Sequence, residues 1–170
     1  MRGSDARFEE YVAARQGGLL RTAYLLTSNH HDAEDLVQAA LVKVVPHWAR
    51  IHGDPDPYVR RVMVRESISR WRRRRWRELL TDDVPEPAGE AEEPTLRVDL
   101  RRALDGLAPR QRAVVVLRYL EDRTEAETAD ILRVSVGTVK SQTRDALRRM
   151  RERAPHLVTE EPAGSGTLVT

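Results

Sequence analysis

The stretch TEAETADILRVSVGTVKSQTRDALRRMRER, residues 124–153, decides the fold of the C-terminal part of this chain. It predicts two short helices joined by a tight turn. Thr124 and Glu127 have the spacing of a capping box at the start of the first helix, and Ser135 is suited to cap the second. Ala129 is small where the two helices must cross closely. The pattern is typical of a helix-turn-helix, which places its second helix in a DNA major groove.

The second helix of this motif has an apolar side and a polar side. At 3.6 residues per turn, the side predicted to pack inward carries Val136, Val139, Thr143, Ala146, Leu147 and Met150. The opposite side carries Thr138, Lys140, Ser141, Arg144, Asp145 and Arg148, with Gln142 at its flank. Lys140 and Arg144 are suited to guanine edges and Ser141 to either base type, whereas Arg148 is suited to phosphates. The alternative, a plain helical bundle with a solvated basic face, leaves the coincidence of caps, small residue, turn and basic helix unexplained.

Three further helices are predicted upstream, over residues 7–27, 32–48 and 58–78, because apolar residues recur there at helical spacing. Gly17 and Gly18 are expected to weaken or kink the first helix, and Ser28-Asn29 to end it and to supply the N-cap of the second helix. Residues 49–57 are rich in Gly, Asp and Pro and predict a loop. The third helix holds nine Arg against two Glu, a net charge of +7.

A strongly acidic segment follows the arginine-rich helix. Residues 79–95 contain six carboxylates, three prolines and no Lys or Arg, so they have little to bury and predict a flexible linker. The fold class is therefore predicted to be all-α, with two small helical domains. The expected boundaries are a first domain at 1–78, the linker at 79–95, a second domain at 96–154 and a disordered tail at 155–170.

The composition excludes several classes of function. The 170 residues include no Cys, which excludes disulfides and thiolate metal sites. No apolar run approaches the roughly 20 residues that span a bilayer, so no membrane insertion and a cytoplasmic location are expected. No Gly-rich phosphate loop, nucleophile elbow or HExxH motif occurs, so neither enzymatic activity nor a cofactor is expected. His30 and His31 precede an acidic helix start and are interpreted as a helix terminus rather than a metal site.

Three stretches of the chain resemble the extracytoplasmic-function sigma factors of bacterial RNA polymerase, most closely their actinobacterial sigma-E-like branch. They are DAEDLVQ (32–38), PYVRRVMVRESISRWRRRRWRE (57–78) and LRRALDGLAPRQRAVVVLRYLEDRTEAETADILRVSVGTVKSQ (100–142). The resemblance covers roughly residues 7–153.

The resemblance implies that the first domain is sigma region 2 and the second is sigma region 4. Region 2 would bind the β′ clamp of core RNA polymerase through Asp32, Glu34, Asp35, Leu36 and Gln38. It would bind and melt the −10 promoter element through the loop at 54–57 and through Tyr58, Arg60, Arg61, Arg65, Arg70, Trp71, Arg73 and Arg74. Region 4 would meet the β flap and read the −35 element through Thr138, Lys140, Ser141, Gln142, Arg144 and Arg148. An anti-sigma factor is the further partner implied, and the protein is expected to be a monomer outside the holoenzyme.

Several residues depart from the pattern of this family. Arg133 stands where Gly is usual at the turn, and Thr128 where an aliphatic residue is usual. Arg65 replaces a frequent Asn. Arg144-Asp145 replaces a Ser-Arg order, so Asp145 is expected either to face a base or to pair with a nearby Arg. Trp48, Trp71 and Trp76 are predicted to lie mostly in the core.

Two other classes of function remain open from sequence alone. The first is a free-standing dimeric helix-turn-helix regulator that binds a palindrome, which would need neither the DAEDLVQ helix nor the arginine-rich helix. The second is a protein-interaction adaptor that has lost DNA reading. Run-off transcription with core polymerase distinguishes the three.

Overall fold

The computed structural model describes residues 2–80, 95–160 and 166–168. Within these ranges it contains seven α-helices: α1 (Arg2–Thr27), α2 (His30–Val44), α3 (Asp56–Leu80), α4 (Thr95–Asp105), α5 (Pro109–Val115), α6 (Glu125–Leu132) and α7 (Val136–Arg153). Two strands of three residues, β1 (Val158–Glu160) and β2 (Gly166–Leu168), pair antiparallel. The prediction of an all-α fold is confirmed apart from this strand pair.

The chain divides into two compact units, Met1–Arg70 and Trp71–Thr170, and helix α3 crosses that division. The linker predicted from charge lies mostly outside the described residues, since nothing is described for 81–94. The domain boundaries at 78 and 96 therefore stay a prediction.

In the first unit, α1 and α2 are separated where the sequence predicts it. Ser28 has a left-handed backbone (φ 57°), and the Asn29 side chain caps α2 by accepting a hydrogen bond from the Asp32 amide at 2.9 Å. Gly17 and Gly18 do not break α1, which is continuous to Thr27. A single glycine costs a helix only about 1 kcal/mol, which tertiary packing readily offsets.

Helix α2 ends earlier than predicted because of Pro46. Proline has no amide hydrogen to continue the α-helical ladder, and the chain tightens into a 3₁₀ helix over Val45–Arg50. The core of this unit is formed by fully or nearly fully buried side chains from all three helices and the 3₁₀ helix: Leu19, Ala23, Leu36, Val44, Trp48, Val59 and Met63.

In the second unit, α4, α5 and α6 all pack against α7 or its neighbours. α5 continues into a π-helical turn at Val116–Leu120. The buried core includes Leu104, Val114, Leu117, Ile131, Val139, Leu147 and Met150. Ala129 is 7% exposed and packs with Val114 and Val139, as expected for the small residue at the crossing of the two motif helices.

The turn between α6 and α7 is a Schellman motif. Arg133 has a left-handed backbone (φ 57°, ψ 49°). The Val134 amide donates to the Ala129 carbonyl at 3.1 Å, and the Arg133 amide to the Asp130 carbonyl at 3.3 Å. An arginine therefore occupies a conformation that glycine adopts without steric cost.

The prediction of a disordered tail from residue 155 is wrong for 155–160 and 166–168. A 3₁₀ turn at Pro155–Leu157 is followed by β1, which pairs with β2 so that Val158 lies opposite Leu168. Leu157 and Val158 are buried, at 1% and 6% exposure, and His156 lies 3.0 Å from Asp99. The apolar residues of this segment are buried in the second unit. They do not recur at helical spacing, so the sequence pattern did not indicate their burial.

Candidate nucleic-acid interface

The orientation of α7 is fixed by its N-cap and its buried face. The Ser135 hydroxyl accepts a hydrogen bond from the Thr138 amide at 3.1 Å. Four of the six side chains predicted to pack inward are buried: Val139, Ala146, Leu147 and Met150. Thr143 is half-buried. Val136 is 39% exposed, so its predicted inward position is wrong; it is the first residue of the helix and lies before the packed turns.

The polar side of α7 is accessible in the second unit. Lys140, Arg144 and Arg148 are exposed, whereas Thr138, Ser141, Gln142 and Asp145 are half-buried. The hydroxyls of Thr138 and Ser135 share a hydrogen bond at 2.9 Å, and Ser141 donates to the Thr138 carbonyl at 3.0 Å. The structure therefore brings the predicted −35 readers onto one face, with cations at its most exposed positions.

Two of these cations lie near carboxylates. The Lys140 ammonium lies 3.7 Å from the Glu125 carboxylate of α6. Asp145 lies 3.5 Å from the Arg148 guanidinium, so of its two expected roles the structure supports the pairing with a nearby arginine. Such exposed pairs contribute at most about 1 kcal/mol, so DNA phosphates can compete for both cations.

On α3, Arg60 is only 8% exposed. Its predicted role as a DNA contact does not fit this burial. Its Nε donates to the Asp56 carboxylate at 2.6 Å, and its Nη1 donates to the Thr22 hydroxyl at 2.9 Å. If the Arg60 guanidinium left this pair to contact DNA, the buried Asp56 carboxylate would remain without its partner, which is costly. Arg60 is therefore a structural residue that ties α3 to α1.

Arg70 is also largely committed to the protein. Its Nε donates to the buried Glu66 carboxylate at 3.2 Å, and its Nη2 donates to the Asp35 carbonyl on α2 at 3.1 Å. Lys43 of α2 donates to the same Glu66 side chain. Glu66 is 6% exposed, and its buried charge is compensated by Lys43 of α2 and Arg70 of α3. Arg70 thus bridges α2 and α3, which does not favour its predicted role as a DNA contact.

The remaining α3 candidates lie at or near the surface. Arg65, Arg73 and Arg74 are exposed, and Tyr58 and Arg61 are half-buried. The core prediction is wrong for Trp71 and Trp76, which are 45% and 63% exposed, because all ten residues of 71–80 are exposed. Arg75 stacks over the Trp71 ring at 5.5 Å. Exposed rings among arginines are a surface suited to unstacked bases and their phosphates.

On α2, most of the predicted polymerase contacts are accessible. Glu34 and Gln38 are exposed, and Asp32 and Asp35 are half-buried. Leu36 is wrong as a contact residue, since it is 0% exposed and belongs to the core. The exposed side of α2 includes Val42, which is 70% exposed, and Val45 at the start of the following 3₁₀ helix is 53% exposed. Val42 follows the polar Gln38 at a spacing of one turn, so both lie on the same side of the helix.

The burial of three polar side chains in the first unit was not predicted from sequence: Thr22, Asp56 and Glu66. Asp56 belongs to the loop at 54–57 that was expected to meet the −10 element, and at 5% exposure it does not fit that role. The one available signal was the four-residue spacing of Asp56 and Arg60, which places oppositely charged side chains on one helix face. The packing partners on α1 could not be read from the sequence.

The described residues contain neither a metal-binding cluster nor a membrane-spanning helix. No group of three or more His, Asp or Glu side chains there is arranged to hold a metal ion. His30 stacks on Tyr24 at 4.4 Å, and His31 lies 3.5 Å from Asp35. Among the described helices, none is both long and apolar enough to cross a membrane.

Comparison with known proteins accounts for both units. Residues 11–77 match the family model for sigma-70 region 2, and residues 97–150 match that for sigma-70 region 4. The RNA polymerase sigma-E factor of Streptomyces coelicolor is 44% identical over 154 residues, covering 88% of this chain and 87% of that protein. The corresponding factor of Streptomyces avermitilis is 42% identical with similar coverage, 88% and 86%.

The fold also matches a solved structure, that of the sigma factor RpoE in complex with the anti-sigma factor NepR from Bartonella quintana. It has a TM-score of 0.73 at 24% identity and covers 88% of this chain and 97% of that one. The family models and the Streptomyces relatives identify the same kind of protein as the exposed basic face of α7 and the arginine-rich α3, namely a sigma factor. This chain belongs to the sigma-70 family as an extracytoplasmic-function, sigma-E-like factor, and it directs promoter-specific initiation of transcription.

Proposed function

We propose that the two units divide promoter recognition between them. The first unit, with α3, binds and melts the −10 element, and α7 of the second unit reads the −35 element as duplex. The single observation that carries this division is the exposed cationic side of α7, with Lys140, Arg144 and Arg148, on a helix whose opposite side is buried. A helix of this kind has the geometry of a major-groove reader.

For the −10 element, the candidate surface is Tyr58, Arg61, Arg65, Arg73 and Arg74 with the exposed rings of Trp71 and Trp76. Guanidinium groups hold the backbone of a single strand, and aromatic rings stack on extruded bases. Arg60 and Arg70 are left out of this surface because their side chains serve the protein interior.

For core polymerase, we propose the exposed side of α2, with Glu34 and Gln38 and the neighbouring Asp32 and Asp35. Val42 and Val45 extend this surface with apolar area. A polar rim beside exposed aliphatic side chains is a usual composition for a protein interface. In this proposal the factor contributes binding and specificity, the catalytic step belongs to the polymerase, and the protein acts in the cytoplasm.

An anti-sigma partner is also proposed. The RpoE structure from Bartonella quintana is a complex with an anti-sigma factor, and so is the structure of CnrH with the cytosolic domain of CnrY, with a TM-score of 0.61 at 20% identity. These complexes concern those proteins and support the fold. A co-purification from the native host, followed by transcription with and without the captured protein, tests whether this chain has such a partner.

The division of labour is tested by run-off transcription with core polymerase. An Arg144→Ala variant should lower transcription at a promoter with its native −35 element and lose discrimination against a substituted −35 base pair, by about tenfold for one bidentate contact. Arg65→Ala should act at the −10 element instead. Initiation without dependence on either element would overturn the proposal, and so would two variants that respond identically to both substitutions.

A further inference from the structure

The exposed loop at residues 51–55 is attached to α1 at both of its ends. At its entrance, Arg7 Nη2 donates to the Ile51 carbonyl at 2.9 Å and to the Trp48 carbonyl at 3.2 Å. Its guanidinium also lies 5.4 Å from the centre of the Trp48 ring. At its exit, the Tyr11 hydroxyl donates to Asp56 Oδ1 at 3.1 Å. Arg7 and Tyr11 are four residues apart, so one turn of α1 holds both ends of the loop.

The attachment at the exit continues into the buried interior. Asp56 accepts from Arg60, and Arg60 donates to Thr22, whose hydroxyl donates to the Gly18 carbonyl at 3.1 Å. Tyr11 and Thr22 are eleven residues apart on α1, about three turns, and so lie on one face. Asp56, Arg60 and Thr22 are each at most 8% exposed. The start of α3 is therefore tied to α1 at two heights by groups that are costly to unpair.

Between these fixed ends the loop presents polar groups to solvent. His52, Gly53 and Asp54 are all exposed. Gly53 has a backbone φ of 77°, a conformation that favours glycine, and Asp54 Oδ1 accepts from the Asp56 amide at 3.0 Å. The loop thus has a defined turn and fixed ends, which is the arrangement that precise recognition by a loop requires.

We propose that Arg7 and Tyr11 are positioning residues for promoter recognition. They do not themselves contact DNA; they fix the loop 51–55 and the first turn of α3 so that these groups meet the −10 bases in one geometry. This inference rests on the proposed role of the first unit at the −10 element. A loop held at both ends loses little conformational entropy on binding, which favours discrimination between bases over mere attachment.

The test measures discrimination rather than overall activity, because a merely structural role would lower activity at all promoters alike. Holoenzymes are reconstituted from core polymerase and the full-length chain, either wild-type or carrying Tyr11→Phe or Arg7→Lys. Tyr11→Phe keeps the ring beside Trp48 and removes only the hydroxyl. Arg7→Lys keeps the charge and removes the fork that reaches two carbonyls. Thr27→Val is the control, since Thr27 lies on the same helix, away from the loop, and the change removes a hydroxyl that donates to the Ala23 and Asn29 carbonyls.

Each holoenzyme is assayed for initiation at a promoter that the wild-type enzyme uses and at the same promoter with single −10 substitutions. The expected result is a ratio between native and substituted promoters that falls about fivefold in a loop variant, the factor for one hydrogen bond, while Thr27→Val retains the wild-type ratio. Affinity for core polymerase, measured in parallel, should stay within about twofold of wild-type.

A wild-type ratio retained by both Tyr11→Phe and Arg7→Lys would overturn the positioning role. If the wild-type holoenzyme itself shows no preference for the native −10 element, the proposed function of the first unit fails as well, and the two failures are thereby distinguished. Circular dichroism melts of the three variants establish that folded protein is compared throughout.

Discussion

The Lys140 ammonium of α7 lies 3.7 Å from the Glu125 carboxylate of α6, so a cation proposed to read promoter DNA lies beside an acid of the preceding helix in the free protein. Both side chains are partly exposed, at 62% and 37%. The pair therefore contributes little to stability, while its negative partner opposes an approaching phosphate backbone.

We expect Glu125→Gln to raise the affinity for a −35 duplex by roughly twofold to fivefold, the scale of one exposed charge pair. Fluorescence anisotropy with a labelled duplex at several salt concentrations measures this effect. Asp122→Asn is a matched control, since it removes the same charge from an exposed residue whose left-handed backbone suits Asn. Equal gains in both variants would attribute the effect to net charge and not to Lys140.

Arg60 and Arg65 should differ in their contribution to the free energy of unfolding. Arg60→Ala leaves the buried Asp56 carboxylate without its 2.6 Å partner and is expected to cost about 3 kcal/mol or more in the free energy of unfolding. Arg65→Ala changes an exposed residue and should cost less than about 0.5 kcal/mol. Urea denaturation measures both values. A small loss at Arg60 would show that the pair in the interior is not required.

Replacing Arg133 with Gly should stabilise the second unit. The residue has a left-handed backbone, with φ 57°, which costs a side chain with a Cβ about 1–2 kcal/mol. Glycine avoids this cost but gains entropy in the unfolded chain, so a net gain of about 0.5–1 kcal/mol is expected. Thermal and urea unfolding test this, with Arg133→Lys as the control that keeps both the charge and the unfavourable backbone conformation.

Thr128→Val and Thr124→Val should have opposite effects although the chemical change is the same. Thr128 is fully buried, and among the described residues its hydroxyl has no hydrogen-bond partner, so Val should stabilise by about 1 kcal/mol. The Thr124 hydroxyl caps α6 by accepting from the Glu127 amide at 3.2 Å, so its loss should destabilise by about 1 kcal/mol. Two changes of the same sign would contradict the assignment of one as a cap and the other as an unsatisfied group.

Tyr11 should make stability sensitive to alkaline pH. Burial and then the neighbouring Asp56 carboxylate raise the pKa of Tyr11 above its ordinary value. The folded protein therefore holds the phenol proton more tightly than the unfolded chain. The stabilisation from the protonated Tyr11 phenol is fully present below about pH 10, and it is lost as the pH rises beyond that value.

The measurement is the free energy of unfolding between about pH 8 and pH 11 for wild-type protein and Tyr11→Phe. The variant should be less stable at neutral pH by about 1 kcal/mol, because it lacks the hydrogen bond to Asp56, and should lose less stability above pH 10. Parallel curves for wild-type and Tyr11→Phe would contradict the raised pKa.

Features that depend on near neighbours along the chain could be predicted from the amino-acid sequence. Asn29, Ser135 and the Thr124–Glu127 capping box lie where the sequence predicts them, because a cap is a hydrogen bond between residues three apart. The helical class followed from the periodicity of apolar residues. The two-region organisation followed from motifs whose residues are contiguous.

The side of α3 that packs against α1 could not be predicted, because it depends on contacts between segments that are distant in the chain. Arg60 and Arg61 are adjacent in an arginine-rich helix and look equivalent in sequence, yet Arg60 is buried against Thr22 and Arg61 is only half-buried. Trp71 and Trp76 look like core residues but are exposed, whereas Leu157 and Val158 look like tail residues but are buried. Burial depends on which distant segments cover a residue, and that information is not contained in the spacing of its neighbours in the chain.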